Sequence, residues 1–509
     1  MTAAASLLWL ARHEGSLAWR DMHYLMTAGG RWRLRSVILI FLVIIAFLHL
    51  VAYSIVAPHA RATAESGPPV LVAVTGSLGL SFFLMLSQAL EQVTRLFYSR
   101  GDLDLFKSSP LPLDRLFGLR VAAIAVSTTA MALIVAAPVL NVLMFLGGPR
   151  WALGFGVAAA GGLAATGLSL VLAAILFDTM GPRRTRLAAQ IASAIVGSAF
   201  IIGIQAVAIL SIGTLSPQAF FQSEMVIAHA PAAESWLWLP ARAVLGDGMA
   251  LLATFAIGLL LLAVPMQILA KRLGDYALAA AGVAQGDRRP RRASWVFRKA
   301  GAGRLLRRKE WVLELRDPWL ASQTLMQMLY LIPSGLLLWR CYGDSQGASV
   351  VLAPVLTMAA GQLGGGLGWL AVSGEDAPDL IASAPLSPRR HLRSKVEAVL
   401  LAIFAVFAPF LLALAGLDWK SALIVAAGIG IAALSSTLVQ IWFRSQASRR
   451  HFRRRQTSSR IATFAEAFAS VAWAATAAIA SSGSWLLAIG PAVIALLILY
   501  GAWAMRPRS

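Results

Sequence analysis

The strongest constraint on this chain is where its charges are missing. Long apolar stretches recur along the 509 residues with almost no Asp, Glu, Lys or Arg inside them. A run of about 20 such residues is long enough to cross the hydrocarbon core of a bilayer. Inside lipid each backbone N–H and C=O must be satisfied within its own segment, so such runs are helices. Charged residues make up 13% of the chain and apolar residues 58%, whereas an ordinary soluble domain is roughly 25% charged. Mean hydropathy is +0.72. The expectation is an all-α polytopic membrane protein, which sets soluble-enzyme folds aside.

Twelve spans are expected. The first six lie near 36–57, 69–91, 119–147, 151–177, 187–213 and 249–270, and the second six near 319–340, 350–372, 396–417, 421–443, 461–482 and 485–505. Residues 1–35 read as an amphipathic segment with Arg12, Glu14, Arg20 and Asp21, not as a cleavable signal. Orientation follows from the basic residues. With a cytoplasmic N-terminus, 39 Lys and Arg fall in inside segments and only five outside: Arg61, Arg150, Arg242, Arg340 and Lys420. Basic residues accumulate on the cytoplasmic side, so both termini are expected there. This also accounts for the net charge of +21 without nucleic acid. Trp236, Trp238, Trp339 and Trp419 fall near outer edges, where indoles anchor. Cys341 is the single cysteine, so no intramolecular disulfide forms, and the seven histidines show no metal-ligand spacing.

The chain repeats itself. Arg12-His13-Glu14, Leu17 and Arg20-Asp21 precede span 1, and Arg308-Lys309-Glu310, Leu313 and Arg316-Asp317 precede span 7, at identical spacing. Asp104–Val121 and Asp379–Val396 share seven of 18 positions, where chance gives roughly one. Both lie after the second span of their half. The expected organisation is a six-span half at 1–270, a basic linker at 271–303 and a second half at 304–509. Two halves of six spans insert in the same sense, related by a pseudo-twofold axis along the membrane normal. The linker is centred on Gly286-Asp287-Arg288-Arg289-Pro290-Arg291-Arg292.

The repeated loop reads as a short stiff helix tied to the next span. Asp102 and Asp104 suit the positive end of a helix dipole, and Leu105 and Phe106 add apolar contacts. Pro110 and Pro112 end that helix, and Pro112 opens the next, through Arg115. The second copy carries Leu380 and Ile381, then Pro385, Pro388 and Arg390.

This pattern, an acidic residue and leucine followed by Ser-x-Pro-Leu and arginine, after an amphipathic entry helix and two spans, resembles the membrane subunits of ATP-binding-cassette exporters. The resemblance covers most of the chain in topology, but only residues 11–21, 102–121, 308–317 and 379–396 in motif. It implies that the loops hold coupling helices docking into separate ATPase subunits, with Asp104, Leu105, Phe106, Asp379, Leu380 and Ile381 at the contact. Arg115 and Arg390 would link the loops to spans 3 and 9. It further implies a permease of the bacterial inner membrane with two ATPase copies as partners. Pro378 departs from the first copy and shortens or shifts the second helix. The chain has no G-x-x-x-x-G-K-[S/T] phosphate loop and no Gly-Lys pair among its six lysines. ATP and Mg would therefore sit on the partner, with no cofactor or metal in this chain and no catalysis of its own.

Polar residues inside spans mark a candidate substrate path: Glu466 first, then Gln88, Gln205, Gln362 and Gln440. Each glutamine also fits an interhelical hydrogen bond. Glu397, near Lys395, reads as a local ion pair, and Gly361–Gly366 as close helix packing. Asp178–Arg184 reads as an inside anchor. The outer segment 214–248, with Phe220, Phe221, Trp236, Trp238 and Pro240, resembles the surface helices that exporters place between spans 5 and 6. The rival readings are a twelve-span secondary carrier driven by an ion gradient, and a membrane-embedded transferase holding a metal at Asp102/Asp104 or Asp376/Asp379.

Overall fold

The computed structural model describes residues 34–60, 67–98, 113–212, 223–232, 234–283, 301–316, 345–373, 387–443 and 460–506, with scattered positions between. All regular structure in them is helical. The chain divides into two compact units. One comprises Met1–Ala11 and Arg33–Pro290, the other Arg12–Trp32 and Arg291–Ser509. The division at Pro290 falls within the basic linker.

In the first unit α1 (Leu34–Ala60), α2 (Pro68–Tyr98) and α3 (Leu113–Gly147) lead into α4 (Leu153–Ile212), two helical limbs joined across a kink. Two short helices, α5 (Glu224–Ala228) and α6 (Leu239–Val244), precede α7 (Gly248–Val283). Both α2 and α7 pack along α4, and α3 lies against α4 and α1. Spans 4 and 5 were expected as separate helices around an inside segment. They are two helices that meet at a kink at Gly181, whose φ of 70° and ψ of 166° only glycine adopts without strain. Pro182 follows and cannot donate to the ladder. The break is held from both sides. The Tyr98 hydroxyl donates to the Pro182 carbonyl at 2.6 Å, and the Thr185 hydroxyl reaches the Gly181 and Leu176 carbonyls at 2.8 and 3.0 Å. Phe97, Tyr98, Phe177 and Tyr276 pack into an aromatic cluster around it.

In the second unit α8 (Ala302–Arg316) precedes α9 (Ser345–Ser373), α10 (Pro388–Leu417), α11 (Trp419–Trp442), α12 (Arg460–Ser481) and α13 (Trp485–Ala504). α9 packs against α11, α12 and α10, and α13 against α12. Leu352, Leu356, Val399, Ile403, Phe407, Val425 and Ile429 fill the core. One residue, Asp418, separates α10 from α11 and caps the latter. Its carboxylate accepts from the backbone N–H of Lys420 at 3.0 Å and of Ser421 at 3.2 Å. The Ser421 hydroxyl, with these amides, holds the Asp418 carboxyl below its ordinary range.

Ten helical segments among the described residues are long and apolar enough to cross a membrane: Pro68–Tyr98, Phe117–Gly147, Pro149–Pro182, Arg184–Leu210, Gly248–Leu269, Val351–Val372, Arg389–Leu417, Trp419–Trp442, Ile461–Ser481 and Trp485–Ala504. They match ten of the twelve expected spans within a few residues. The expected first span coincides with α1, whose described apolar part is the shorter Ile45–Ala57. The expected span at 319–340 lies mostly outside the described residues. The chain is an all-α, multi-pass membrane protein.

Candidate functional site

The coupling residues expected from sequence divide in two. Asp104, Leu105, Phe106, Asp379, Leu380 and Ile381 lie outside the described residues, as do Asp102 and Asp376. Arg115 falls in the first turn of α3 and Arg390 in the first turn of α10. α10 opens with Pro388 behind the N-cap Ser387, whose hydroxyl oxygen accepts from the Arg390 N–H at 3.4 Å. Arg390 itself is exposed.

The arm of α10 that follows Arg390 is fastened to the entry helix α8. Glu310 of α8 is 1% exposed in its side chain and pairs with Lys395 of α10 at 3.2 Å. Lys395 also donates to the Ala371 carbonyl at the end of α9, and Lys309 lies 3.2 Å from the second Glu310 oxygen. One turn away, Arg307 of α8 reaches Glu397 at 3.0 Å, and Arg393 reaches it at 2.7 Å. Glu397 is indeed in a local ion pair, but with Arg393 and Arg307. Lys395 is committed to Glu310. Three helices are thus joined where the second repeated loop enters the membrane. The sequence held a signal for this: Glu310 belongs to one repeated motif and Lys395 to the other, and the first half carries an acid at Glu14 and a base at Arg120 in the same places.

The expected pathway residues are only partly gathered. Gln440 of α11 is buried and donates to Glu466 of α12 at 2.7 Å. The carboxylate lies against Gly365 of α9, where a Cβ would stand 2.3 Å from its oxygen. Around this pair Thr437 donates to the Gly364 carbonyl at 3.2 Å, Ser436 meets Ser470 at 3.3 Å and Trp473 donates to Ser435 at 3.1 Å. The result is a polar seam between three apolar helices. Gln88 and Gln362 are exposed on α2 and α9, and Gln205 is half-exposed on α4. None of the three joins the seam.

The described part of segment 220–247 in the first unit folds over the start of α2. The Phe221 ring rests on Gly76, and Trp238 is buried, its indole N–H donating to the Ala232 carbonyl at 3.0 Å. Arg242 pairs with Asp247 at 2.6 Å. The Ala250 backbone N–H, with Arg242, holds the Asp247 carboxyl below its ordinary range. Asp178, at the start of the expected anchor segment, ties the limb before the kink to α7. Its carboxylate accepts from the Tyr276 hydroxyl at 2.8 Å and lies 3.5 Å from Arg272. Burial first, and this acceptor second, raise the Tyr276 phenol above its usual range.

Among the described residues no group of three His, Cys, Asp or Glu side chains could hold a metal ion. Comparison with protein-family models, with curated proteins and with solved structures finds no match. The fold and the seam define a class, a helical multi-pass membrane protein with a polar junction inside one bundle.

Proposed function

We propose that this chain is the permease subunit of an ATP-driven transporter of the ATP-binding-cassette type, an exporter of the bacterial inner membrane. It would couple to two copies of a separate ATPase through loops 100–120 and 375–395. The observation that carries this reading is the fastening of α8, α9 and α10 at the mouth of the second loop by Glu310–Lys395 and Arg307–Glu397. A loop that only joins two spans needs no such brace. A loop that receives force from a docked partner must pass it to more than one helix, and a buried ion pair flanked by a second charge link does that. The motif in that loop occurs twice, and the chain lacks a phosphate loop of its own, so the nucleotide and its Mg belong to the partner. In this scheme both termini and the 271–303 linker are cytoplasmic, and the halves are parallel six-span repeats.

The test is association. Phe106→Ala should weaken binding of the ATPase about tenfold or more, since truncating a buried interface anchor costs at least about 1.4 kcal/mol. Leu380→Ala should act similarly, and Arg115 or Arg390 substitutions should uncouple hydrolysis from transport more than they weaken binding. Intact association and transport in both Phe106→Ala and Leu380→Ala would remove the main support. Topology is checked by cysteine labelling in a Cys341-free background, where labelling of residues 286–292 from outside would overturn the scheme.

A second reading, a secondary carrier driven by an ion gradient, draws on the Gln440–Glu466 pair, a carboxylate inside the membrane. Transport that persists with no ATPase present and stops in Glu466→Gln would favour it.

A further inference from the structure

The first unit holds a pocket of about 680 Å³ between the start of α2, the far limb of α4 and the segment that follows it. That volume lies within the usual range for ligand sites. We propose that this pocket binds one acyl chain of a membrane amphiphile.

Its walls leave little else. Val72 and Gly79 mark two turns of one α2 face, with the Phe200, Phe221 and Trp238 rings opposite. Few polar atoms line it. The Trp238 N–H is held by the Ala232 carbonyl, and His229 Nδ1 lies 2.8 Å from the Met225 carbonyl and donates to it. The Thr75 hydroxyl is buried without a hydrogen-bond partner. Ordered water needs two to four polar partners, and a single hydroxyl does not supply them. An apolar void of this size left empty loses all dispersion contact on one side. Hydrocarbon therefore fills it. The pocket spans about 10 Å along the first turns of a membrane helix, at 1.5 Å per residue from Val72 to Gly79, so hydrocarbon reaches it from the bilayer. Among the described lining residues the exposed His229 is the one ionisable side chain, and its Nε2 suits a headgroup at the rim. The occupant is thus an amphiphile with its chain inside.

The inference involves no ATPase, so its test stands apart from the transporter reading. The full chain is reconstituted into phosphatidylcholine–phosphatidylglycerol vesicles with a trace of a diazirine-bearing fatty acid in one arm. The other arm carries phosphatidylcholine with the same diazirine chain. After illumination, labelled residues are mapped by peptide mass. Labelling at Val72, Phe200 and Phe221 should exceed that at the lipid-exposed Leu486 several-fold, and excess unlabelled fatty acid or lipid should suppress only the pocket signal. Thr75→Phe and Val72→Phe, which fill the cavity, should each lower it several-fold while Leu486 labelling stays. A stronger fatty-acid arm assigns a free single-chain amphiphile, and a stronger phospholipid arm assigns bilayer lipid. Pocket labelling no higher than Leu486 in both arms, or unchanged in both filled variants, overturns the proposal.

Discussion

α2 and α9 each precede one copy of the duplicated loop motif, yet they are packed differently. In the apolar stretch of α9, 67% of residues are buried, against 28% in α2. α9 achieves this with small residues that let neighbouring backbones approach. A Cβ on Gly364 would stand 2.8 Å from the Ala433 Cα and carbonyl oxygen, atoms that cannot swing away. On α2 the corresponding freedom is taken by side chains. Gly79 faces the Phe200 ring and Gly76 the Phe221 ring. The links between helices differ in the same sense. Glu310–Lys395 in the second unit is buried, whereas Asp178–Arg272 in the first is 3.5 Å long with both side chains more than half exposed. α9 is therefore held against its neighbour by backbone contact, whereas the start of α2 is cushioned by movable rings.

The largest expected effect breaks this contrast at its charges. Lys395→Met leaves Glu310 buried without its main partner and should cost about 3–5 kcal/mol, read as a lowered unfolding midpoint in detergent. The double variant Glu310→Leu/Lys395→Met should recover most of it. Arg272→Met in the first unit should cost no more than about 1 kcal/mol, as exposed pairs do. Equal losses from the two single variants would erase the distinction.

Glycine substitution tests the packing side. Gly364→Ala forces backbone apart and should destabilise by about 2–3 kcal/mol. Gly79→Ala displaces only a ring, and the helix propensity gained, about 1 kcal/mol, should leave it nearly neutral. Thermal unfolding of the two variants side by side decides the matter.

Glu466→Gln sharpens the comparison at the polar seam. The amide is isosteric and still accepts from Gln440, so folding should change by less than about 1 kcal/mol. Gln440→Leu removes the donor and should cost about 1–3 kcal/mol. A large folding loss in Glu466→Gln would mean that the negative charge itself holds the seam.

The smallest effect is acid sensitivity at two helix caps, Asp247 in the first unit and Asp418 in the second. Both carboxyls are held below their unfolded range. Their contribution is therefore present above the ordinary aspartate pKa of about 3.9 and fades as pH falls through the lower folded value. Asp247→Asn and Asp418→Asn should each slightly lower the midpoint at pH 7 and flatten its decline toward pH 3. An unchanged slope would show that the caps are not charged contributors.

Span positions, the all-helical class and the duplicated motifs were legible because hydrocarbon imposes a local rule. Any segment crossing it must be apolar for about 20 residues and must satisfy its own backbone, and both properties sit in contiguous sequence. Close packing around Gly361–Gly366 was legible too, since small residues in a span have few other uses. Tertiary structure alone decided the partners. Lys395 chose Glu310, 85 positions away, over Glu397. Gln440 found Glu466, while Gln362, beside the same glycines, faces outward. Asp178–Arg184 holds a kink between two helices that Tyr98 and Tyr276 brace. Such choices depend on how a helix is rotated against its neighbours, which is set by packing across many residues at once, and no local pattern carries that angle.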